Sequence, residues 1–330
     1  MQPYFDYQDY NRKVYKHQLT KDSNIIGVIL LLFMIVMTVI SFIAVLAPAL
    51  FSNSADLSFL DDTAFLMILN GLASIISFFG VSYIYGLTSK NSICNLFPVE
   101  KTPLSITYLL CTLGLGVCMV ANYVSNMLIA LFDLVGVDAL VEMEYECDSV
   151  LDVVLFYVSV SVLPALVEEF AFRGVVLNML RKYSDSLAIL VSGVLFGIMH
   201  GNFTQFPFAL VVGLILGYIA VKTNSLIPGI IIHFLNNAIS VTFTLLETNT
   251  NLSDAVVNSI YIIILLIISA LAITSFITLS KNHKGFFKIS STDDTITFKE
   301  KVKTVCVSPT IIIFTVFCLM EAVIMLFLEV

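Results

Sequence analysis

Three apolar stretches of this sequence contain side chains that could catalyse hydrolysis inside a membrane. The side chains are those of Glu168, Glu169, Arg173, His200, His233 and Asn237. A charged group at the centre of a spanning helix costs about 2.5–3.5 kcal/mol on insertion scales, so it usually has a function and a partner. A carboxylate or imidazole can take a proton from water, and imidazole or amide N–H groups can stabilise an oxyanion. The residue types therefore predict hydrolysis of an amide bond.

The two adjacent glutamates are expected to have different roles. Glu169 and Arg173 are four residues apart, so on a helix they share a face and can form an ion pair. Glu168 lies about 100° further round such a helix, without a cation on its own face. We therefore predict that Glu168 is the base and that the Glu169–Arg173 pair supports the site.

The histidines follow the same spacing rule. Phe196 and His200 are four residues apart, as are His233 and Asn237, so each pair shares one face of its helix, whereas Asn236 points elsewhere. Counted from the predicted cytoplasmic ends of their segments, Glu168 and the two histidines lie at a depth of about 16–21 Å. We expect the three segments to bring these groups together in one layer of the membrane.

Composition requires a membrane around this chain. Hydrophobic residues make up 58% and charged residues 12% of its 330 residues, and a soluble domain carries roughly twice that charged fraction. Runs long enough for helices lie at 25–50, 64–86, 104–132, 150–178, 187–201, 206–221, 226–246, 256–279 and 309–328. We predict an all-α bundle of about 8–9 spans with the active site inside the membrane. The fifth and sixth runs are short and suit a hairpin within the bilayer.

The distribution of charge predicts the orientation. Lys and Arg gather in cytoplasmic loops, and a cytoplasmic N-terminus leaves every outer loop without either residue. The outer loops instead carry the acids Asp56, Asp61, Asp62, Asp133, Asp138, Glu142, Glu144, Glu146 and Asp148. We expect a multi-pass protein of a cell membrane, and the acidic loops favour a bacterial plasma membrane. Segment 281–303 is expected to be a solvated, basic cytoplasmic loop.

The polar residues form three motifs in chain order: EExxxR at 168–173, FxxxH at 196–200 and HxxxN at 233–237. Together they resemble the CAAX-protease and bacteriocin-processing family of intramembrane proteases, also called the CPBP or Abi family. This family includes the Ras-converting CAAX endopeptidase. The resemblance covers about residues 150–240, and no motif position departs from the pattern.

The resemblance implies a glutamate-type endopeptidase that needs no cofactor. Glu168 and His200 would activate a water, His233 and Asn237 would hold the oxyanion, and the other motif residues would support the site. The implied partner is a membrane-embedded or lipidated protein or peptide substrate, surrounded by membrane lipids. No nucleic-acid partner is expected. The substrate's identity and the oligomeric state stay open.

We divide the chain into three parts on this basis. Residues 1–149 form an N-terminal tail with three membrane helices, 150–246 form the catalytic core, and 247–330 add two helices and the basic loop.

Three other functions fit the same residues. Glu168, His200 and His233 could bind zinc as a His₂Glu set in a metalloprotease, although the HExxH pattern is missing. The chain could instead be a membrane scaffold or a bacteriocin self-immunity protein that does not cut. A transporter could use the buried charges as a proton relay, but we find no inverted repeat in the sequence.

Overall fold

The computed structural model describes residues 7–51, 62–89, 97–134, 147–289 and 295–328. These residues form ten helices and no strand, which confirms the predicted all-α polytopic bundle. In chain order the helices are α1 (Tyr7–Phe51), α2 (Thr63–Thr88), α3 (Leu104–Leu134), α4 (Val150–Arg181), α5 (Asp185–Met199), α6 (Gln205–Thr223), α7 (Ile227–Asn249), α8 (Asp254–Asn282), α9 (Phe298–Cys306) and α10 (Pro309–Leu328).

Within the described ranges, seven helices are long and apolar enough to cross a bilayer. The bent pair α9–α10 raises this number to eight if it is one span. Helix α5 has only 15 residues, fewer than the ~17 that a span requires. It packs along α6, which at 19 residues is itself long enough to span, so the expectation of two short helices is wrong for α6. The chain is therefore a multi-pass membrane protein in which one apolar helix falls short of a full crossing.

Glycines allow the backbones of α5 and α6 to touch. A Cβ atom on Gly213 would lie 2.8 Å from the Cα of Gly193, and a Cβ on Gly193 would lie 2.8 Å from a methyl of Leu214. Any larger residue at Gly213 would force the helices apart, which is the usual reason for small residues at membrane helix contacts. The close approach places the carbonyl of Gly213 beside α4.

Helix α4, which carries both glutamates, is not a regular α-helix. Wider π-helical turns at Tyr157–Val162 and Phe170–Leu177 flank a short α-helical stretch, Leu163–Glu169, with a proline in its first turn. Such wide turns are rare and are found frequently at functional sites. All eight residues of the second π-helical segment are buried, so the part of α4 next to the glutamates lies in the centre of the bundle.

Helix α9 corrects the expectation that 281–303 is simply a solvated loop. It starts at a capping box formed by Thr297 and Glu300 and packs on α1. Lys301 is only 3% exposed, and its Nζ donates to the backbone carbonyl of Tyr183 at 2.8 Å. The expectation of solvation is wrong for Lys301 because the capping box and one apolar face convert this stretch into an amphipathic helix.

The turn between α4 and α5 is held by side chains of α1 as well. The Tyr183 hydroxyl donates to Asp22 at 2.5 Å, and Lys182 forms an ion pair with the same carboxylate at 2.6 Å. Burial is the main cause that raises the pKa of the Tyr183 hydroxyl above its ordinary value, and the hydrogen bond to Asp22 raises it further. Tyr15 also donates to the Tyr183 carbonyl, at 3.1 Å. We call this cluster, comprising Tyr15, Asp22, Lys182, Tyr183 and Lys301, the clasp.

Most of the acids predicted for the outer loops lie outside the described residues. These are Asp56, Asp61, Asp138, Glu142, Glu144 and Glu146, together with the side chain of Asp133. Of the remainder, Asp62 caps the start of α2 through a bond from the backbone of Phe65, and Asp148 precedes α4. The predicted orientation and the proposed division into three parts therefore stay predictions.

Candidate active site

Glu169 and Arg173 form a fully buried ion pair, as their spacing predicts. Both side chains have no exposed surface, and Arg173 Nη1 lies 2.7 Å from Glu169 Oε1. Nη2 of the same guanidinium donates to the carbonyl of Gly213 at 3.3 Å. The guanidinium also lies over the ring of Phe196, 4.6 Å from the centroid. Arg173 thus joins α4 to α5 and α6.

Glu169 also binds His233, a contact that the sequence did not predict. His233 Nδ1 lies 3.1 Å from Glu169 Oε1, and because a carboxylate accepts, Nδ1 is the donor. The other oxygen, Oε2, has no hydrogen-bond partner and faces Gly229 of α7, where a Cβ atom would lie only 3.0 Å away. A glycine at this position is what lets the carboxylate approach α7.

Glu168 faces the opposite nitrogen of the same imidazole. Its Oε2 lies 3.8 Å from His233 Nε2, and its side chain is 17% exposed, whereas that of Glu169 is fully buried. This distance is too long for a direct hydrogen bond, but the two groups are close enough to interact electrostatically. Of the two glutamates, Glu168 is therefore the one whose side chain keeps accessible surface.

His200 presents a free Nε2 atom. Its Nδ1 lies 2.8 Å from the carbonyl of Phe196, and a carbonyl only accepts, so the hydrogen is on Nδ1 and the neutral ring has its lone pair on Nε2. The Phe196 ring contacts both imidazoles edge to face, at centroid distances of 4.9 Å for His200 and 6.1 Å for His233. His200 is also within electrostatic reach of Glu168. The three predicted segments thus meet around Phe196.

Asn237 lies one helical turn beyond His233 but has other partners. Its Nδ2 donates to the carbonyl of Val160 on α4 at 3.0 Å, and Asn236 Nδ2 donates to its Oδ1 at 3.1 Å. Asn236, which we expected to point elsewhere, is therefore in contact with Asn237. To stabilise an oxyanion, the Asn237 amide must give up its hydrogen bond to the Val160 carbonyl and donate to the substrate instead.

Sequence reasoning overlooked Glu321 on α10. A Cβ atom on Gly201, the residue after His200, would lie 3.2 Å from Glu321 Oε2. Gly201 has a positive φ of 56°, which favours glycine at this sharp end of α5. The sequence does contain a signal for Glu321, because it is an acidic residue inside the last apolar run. An acidic residue inside an apolar run was also the signal that identified Glu168.

Within the parts of the chain that the structure describes, no three His, Cys, Asp or Glu side chains converge closely enough to hold a metal ion. Glu168 lies beside His233 and both imidazoles contact Phe196, but the three residues do not form a ready coordination shell. The chemistry available from these side chains is acid–base chemistry on a water, together with hydrogen bonding to a developing negative charge.

A bundle of membrane helices that buries carboxylates against imidazoles fits the class of intramembrane hydrolases. Residues 150–239 match the family model described as Type II CAAX prenyl endopeptidase Rce1-like. This match confirms the resemblance to the CAAX-protease family and supports a CAAX-type intramembrane endopeptidase. Every candidate residue from Glu168 to Asn237 lies in the matched segment. No curated protein and no solved structure matches the chain.

Proposed function

We propose that the chain is an intramembrane endopeptidase that hydrolyses a peptide bond of a membrane-associated protein or peptide. One observation carries this proposal: the imidazole of His233 lies between two glutamates, with Nδ1 3.1 Å from Glu169 and Nε2 3.8 Å from Glu168. One carboxylate orients the ring, and the other stays accessible beside it. The segment that holds all three residues matches an endopeptidase family.

In the proposed reaction, Glu168 and the free Nε2 atom of His200 orient a water molecule. Glu168 takes a proton from this water as the water oxygen bonds to the carbonyl carbon of the substrate. The protonated Glu168 then gives the proton to the departing amine while the C–N bond breaks. Positioned proton transfer of this kind contributes about 10²–10⁴-fold to a rate, and exclusion of bulk water strengthens the electrostatic interactions in the site.

His233 and Asn237 are proposed to stabilise the oxyanion. Nδ1 of His233 already donates to Glu169, so donation from Nε2 as well requires the doubly protonated ring. Glu169 is the counterion of that ring, just as it is the counterion of Arg173. Removing one oxyanion donor costs about 10²–10³ in turnover in other hydrolases.

One observation favours a zinc-dependent variant of the same reaction, although the three side chains do not form a ready metal site in this structure. Both histidines use Nδ1 for a carboxylate or a carbonyl, leaving Nε2 available, and metal-binding histidines usually have such a partner. Glu168 would be the third ligand. Dialysis of the purified protein against a strong chelator distinguishes the two mechanisms. Under the glutamate mechanism cleavage is unchanged, whereas loss of cleavage with recovery on adding zinc would establish the metal.

We infer a substrate that is lipidated or embedded in the same membrane. The matched family is described as a CAAX prenyl endopeptidase, and the proposed site lies among membrane helices. We further propose a plasma-membrane location with a cytoplasmic N-terminus, since this orientation leaves the outer loops free of Lys and Arg. Reporter fusions at both ends of the chain, read for cytoplasmic activity, test the orientation.

The decisive experiment compares membrane peptides from cells that express the wild type, Glu168→Ala or Glu247→Ala. Glu247 is a glutamate near the end of α7 and is the matched control. We expect cleavage products with the wild type and Glu247→Ala, and none with Glu168→Ala at equal amounts of inserted protein. Normal products from a correctly inserted Glu168→Ala variant would exclude the proposed base.

A further inference from the structure

A second polar feature lies beside the catalytic cluster. A pocket of about 330 Å³ opens where α3, the turn between α5 and α6, and α7 meet. Its polar lining includes Asn122, Ser125, Asn126, Asn202, Asn236 and Asn237. None of the described residues that line it carries a charge. The pocket is therefore rich in groups that both donate and accept hydrogen bonds but is electrically neutral.

Two of its lining side chains have unused hydrogen-bonding atoms. Asn236 is 3% exposed and Ser125 is 5% exposed, yet Asn236 Oδ1 and Ser125 Oγ have no partner. An unsatisfied buried polar atom costs about 1–3 kcal/mol. Unpartnered polar atoms buried in the wall of an uncharged, Asn-lined pocket favour a ligand that is itself a neutral hydrogen-bonding group.

The pocket adjoins the candidate active site along the chain. Asn237 belongs to both, and it lies about 6 Å along α7 from His233. Asn202 follows His200 by two residues and accepts from the backbone and hydroxyl of Thr204 at 2.8 and 2.7 Å. Asn237 is therefore the point at which a substrate bound at the candidate active site would meet the pocket.

We propose that this pocket binds an extended, uncharged segment of the substrate next to the cleaved bond; this inference rests on the proposed function. A peptide backbone away from water needs partners for every N–H and C=O group, and the Asn side chains supply donors and acceptors for both. A charged substrate side chain in the pocket would lose its hydration without gaining a counter-charge. The pocket thus selects for neutral residues on one side of the cleavage point.

The test introduces a charge and asks whether the selectivity changes. Short acylated peptides of neutral residues, each with one lysine moved stepwise along the sequence, are photo-crosslinked to full-length protein in the inactive Glu168→Ala background. We expect lysine at the pocket positions to abolish crosslinking. Adding Asn122→Asp should restore crosslinking about tenfold at those positions only, because a desolvated charge pair contributes more than 1.4 kcal/mol.

Asn258→Asp is the matched control, because Asn258 lies exposed on α8, away from the pocket. It should leave the lysine pattern unchanged. Asn126→Asp provides a second pocket variant if Asn122→Asp does not fold. Equal crosslinking of lysine at every position, absence of all crosslinking, or the same response to Asn122→Asp and Asn258→Asp would each overturn the subsite.

The binding measurement separates this proposal from the proposed function. Lysine-dependent crosslinking without any cleavage by the wild type would retain the subsite and reject the endopeptidase. Glu168-dependent cleavage by the wild type, with no effect of Asn122→Asp on crosslinking, would retain the endopeptidase and reject the subsite.

Discussion

The imidazole of His233 is anchored through Nδ1 to the carboxylate of Glu169, 3.1 Å away. The same carboxylate oxygen lies 2.7 Å from the Arg173 guanidinium. One buried side chain therefore neutralises a cation in the bundle and fixes the direction in which a histidine of another helix points. Loss of Glu169 should affect both stability and chemistry, whereas loss of Glu168 should affect chemistry alone.

Glu169→Ala should destabilise the protein strongly, since it leaves the Arg173 charge buried without its partner. Breaking a buried pair in this way costs about 3–5 kcal/mol. The matched control is Asp9→Ala, which removes the exposed pair of Asp9 with Lys13, also at an i, i+4 spacing; exposed pairs of this kind contribute only about 0.3–0.5 kcal/mol. Thermal unfolding in detergent measures both. Equal unfolding temperatures for the two variants would contradict the buried pair.

The conservative variants Glu168→Gln and Glu169→Gln should separate the two roles. Glu168→Gln removes a partly exposed carboxylate, so we expect it to unfold at the wild-type temperature while turnover falls by about 10²–10⁴. Glu169→Gln should lower both the unfolding temperature and the turnover. Unfolding temperature and turnover are measured on the same detergent preparations. If Glu168→Gln unfolds as early as Glu169→Gln, Glu168 is structural and not the base.

Gly213→Ala should separate α5 from α6 and disturb Arg173. Its added methyl would meet the backbone of Gly193 at 2.8 Å, and the carbonyl of Gly213 is an acceptor for Arg173. Overpacking typically costs about 1–3 kcal/mol. Gly80→Ala on α2 is the control, because its methyl would have no neighbour closer than 3.9 Å. Unfolding temperatures that rank the two variants in the opposite order would show that this helix contact is not tight.

Lys301→Met should loosen α9 without shortening the buried side-chain stem. The ammonium that donates to the Tyr183 carbonyl is lost, and hydrogen bonds to charged groups contribute about 1.5–3 kcal/mol. We expect roughly tenfold faster chymotrypsin cleavage at Phe298, the first residue of α9, because cleavage follows the population of opened molecules.

Lys303→Met is the control for this experiment. Lys303 lies on the same helix but is exposed, so its loss should leave the cleavage rate unchanged. The same acceleration in both variants would indicate that total charge, and not the clasp, holds α9 in place.

The sequence predicted most of the helices because a long apolar run is a sufficient signal for a spanning helix. All nine predicted runs coincide with helices, from α1 to α8 and α10. Helix α9 was missed because its nine residues include three lysines and a glutamate, so its apolar face is too narrow to show in the average hydropathy. The start of α1 at Tyr7 was missed for the same reason.

The three predicted segments meet in the structure, but the contacts between them were not predicted. Helical spacing was sufficient to predict the Glu169–Arg173 pair, which lies within one helix. The contact of Glu169 with His233 joins two helices whose rotation and separation depend on packing, and the sequence carries no direct signal for these. Gly229 allows the Glu169 carboxylate to approach α7, but the sequence does not show which side chain faces this glycine.

The clasp has a consequence for any attempt to isolate the matched segment. Asp22 and Lys301, from the two distant ends of the described chain, bind Lys182 and Tyr183, which lie within residues 150–239. A fragment limited to residues 150–239 would lose the partners of Lys182 and Tyr183. These two residues form the turn that connects the helix of the glutamates to the helix of His200. We therefore expect a stable fragment that contains the candidate site to require the outer helices, joined to the matched segment and not removed from it.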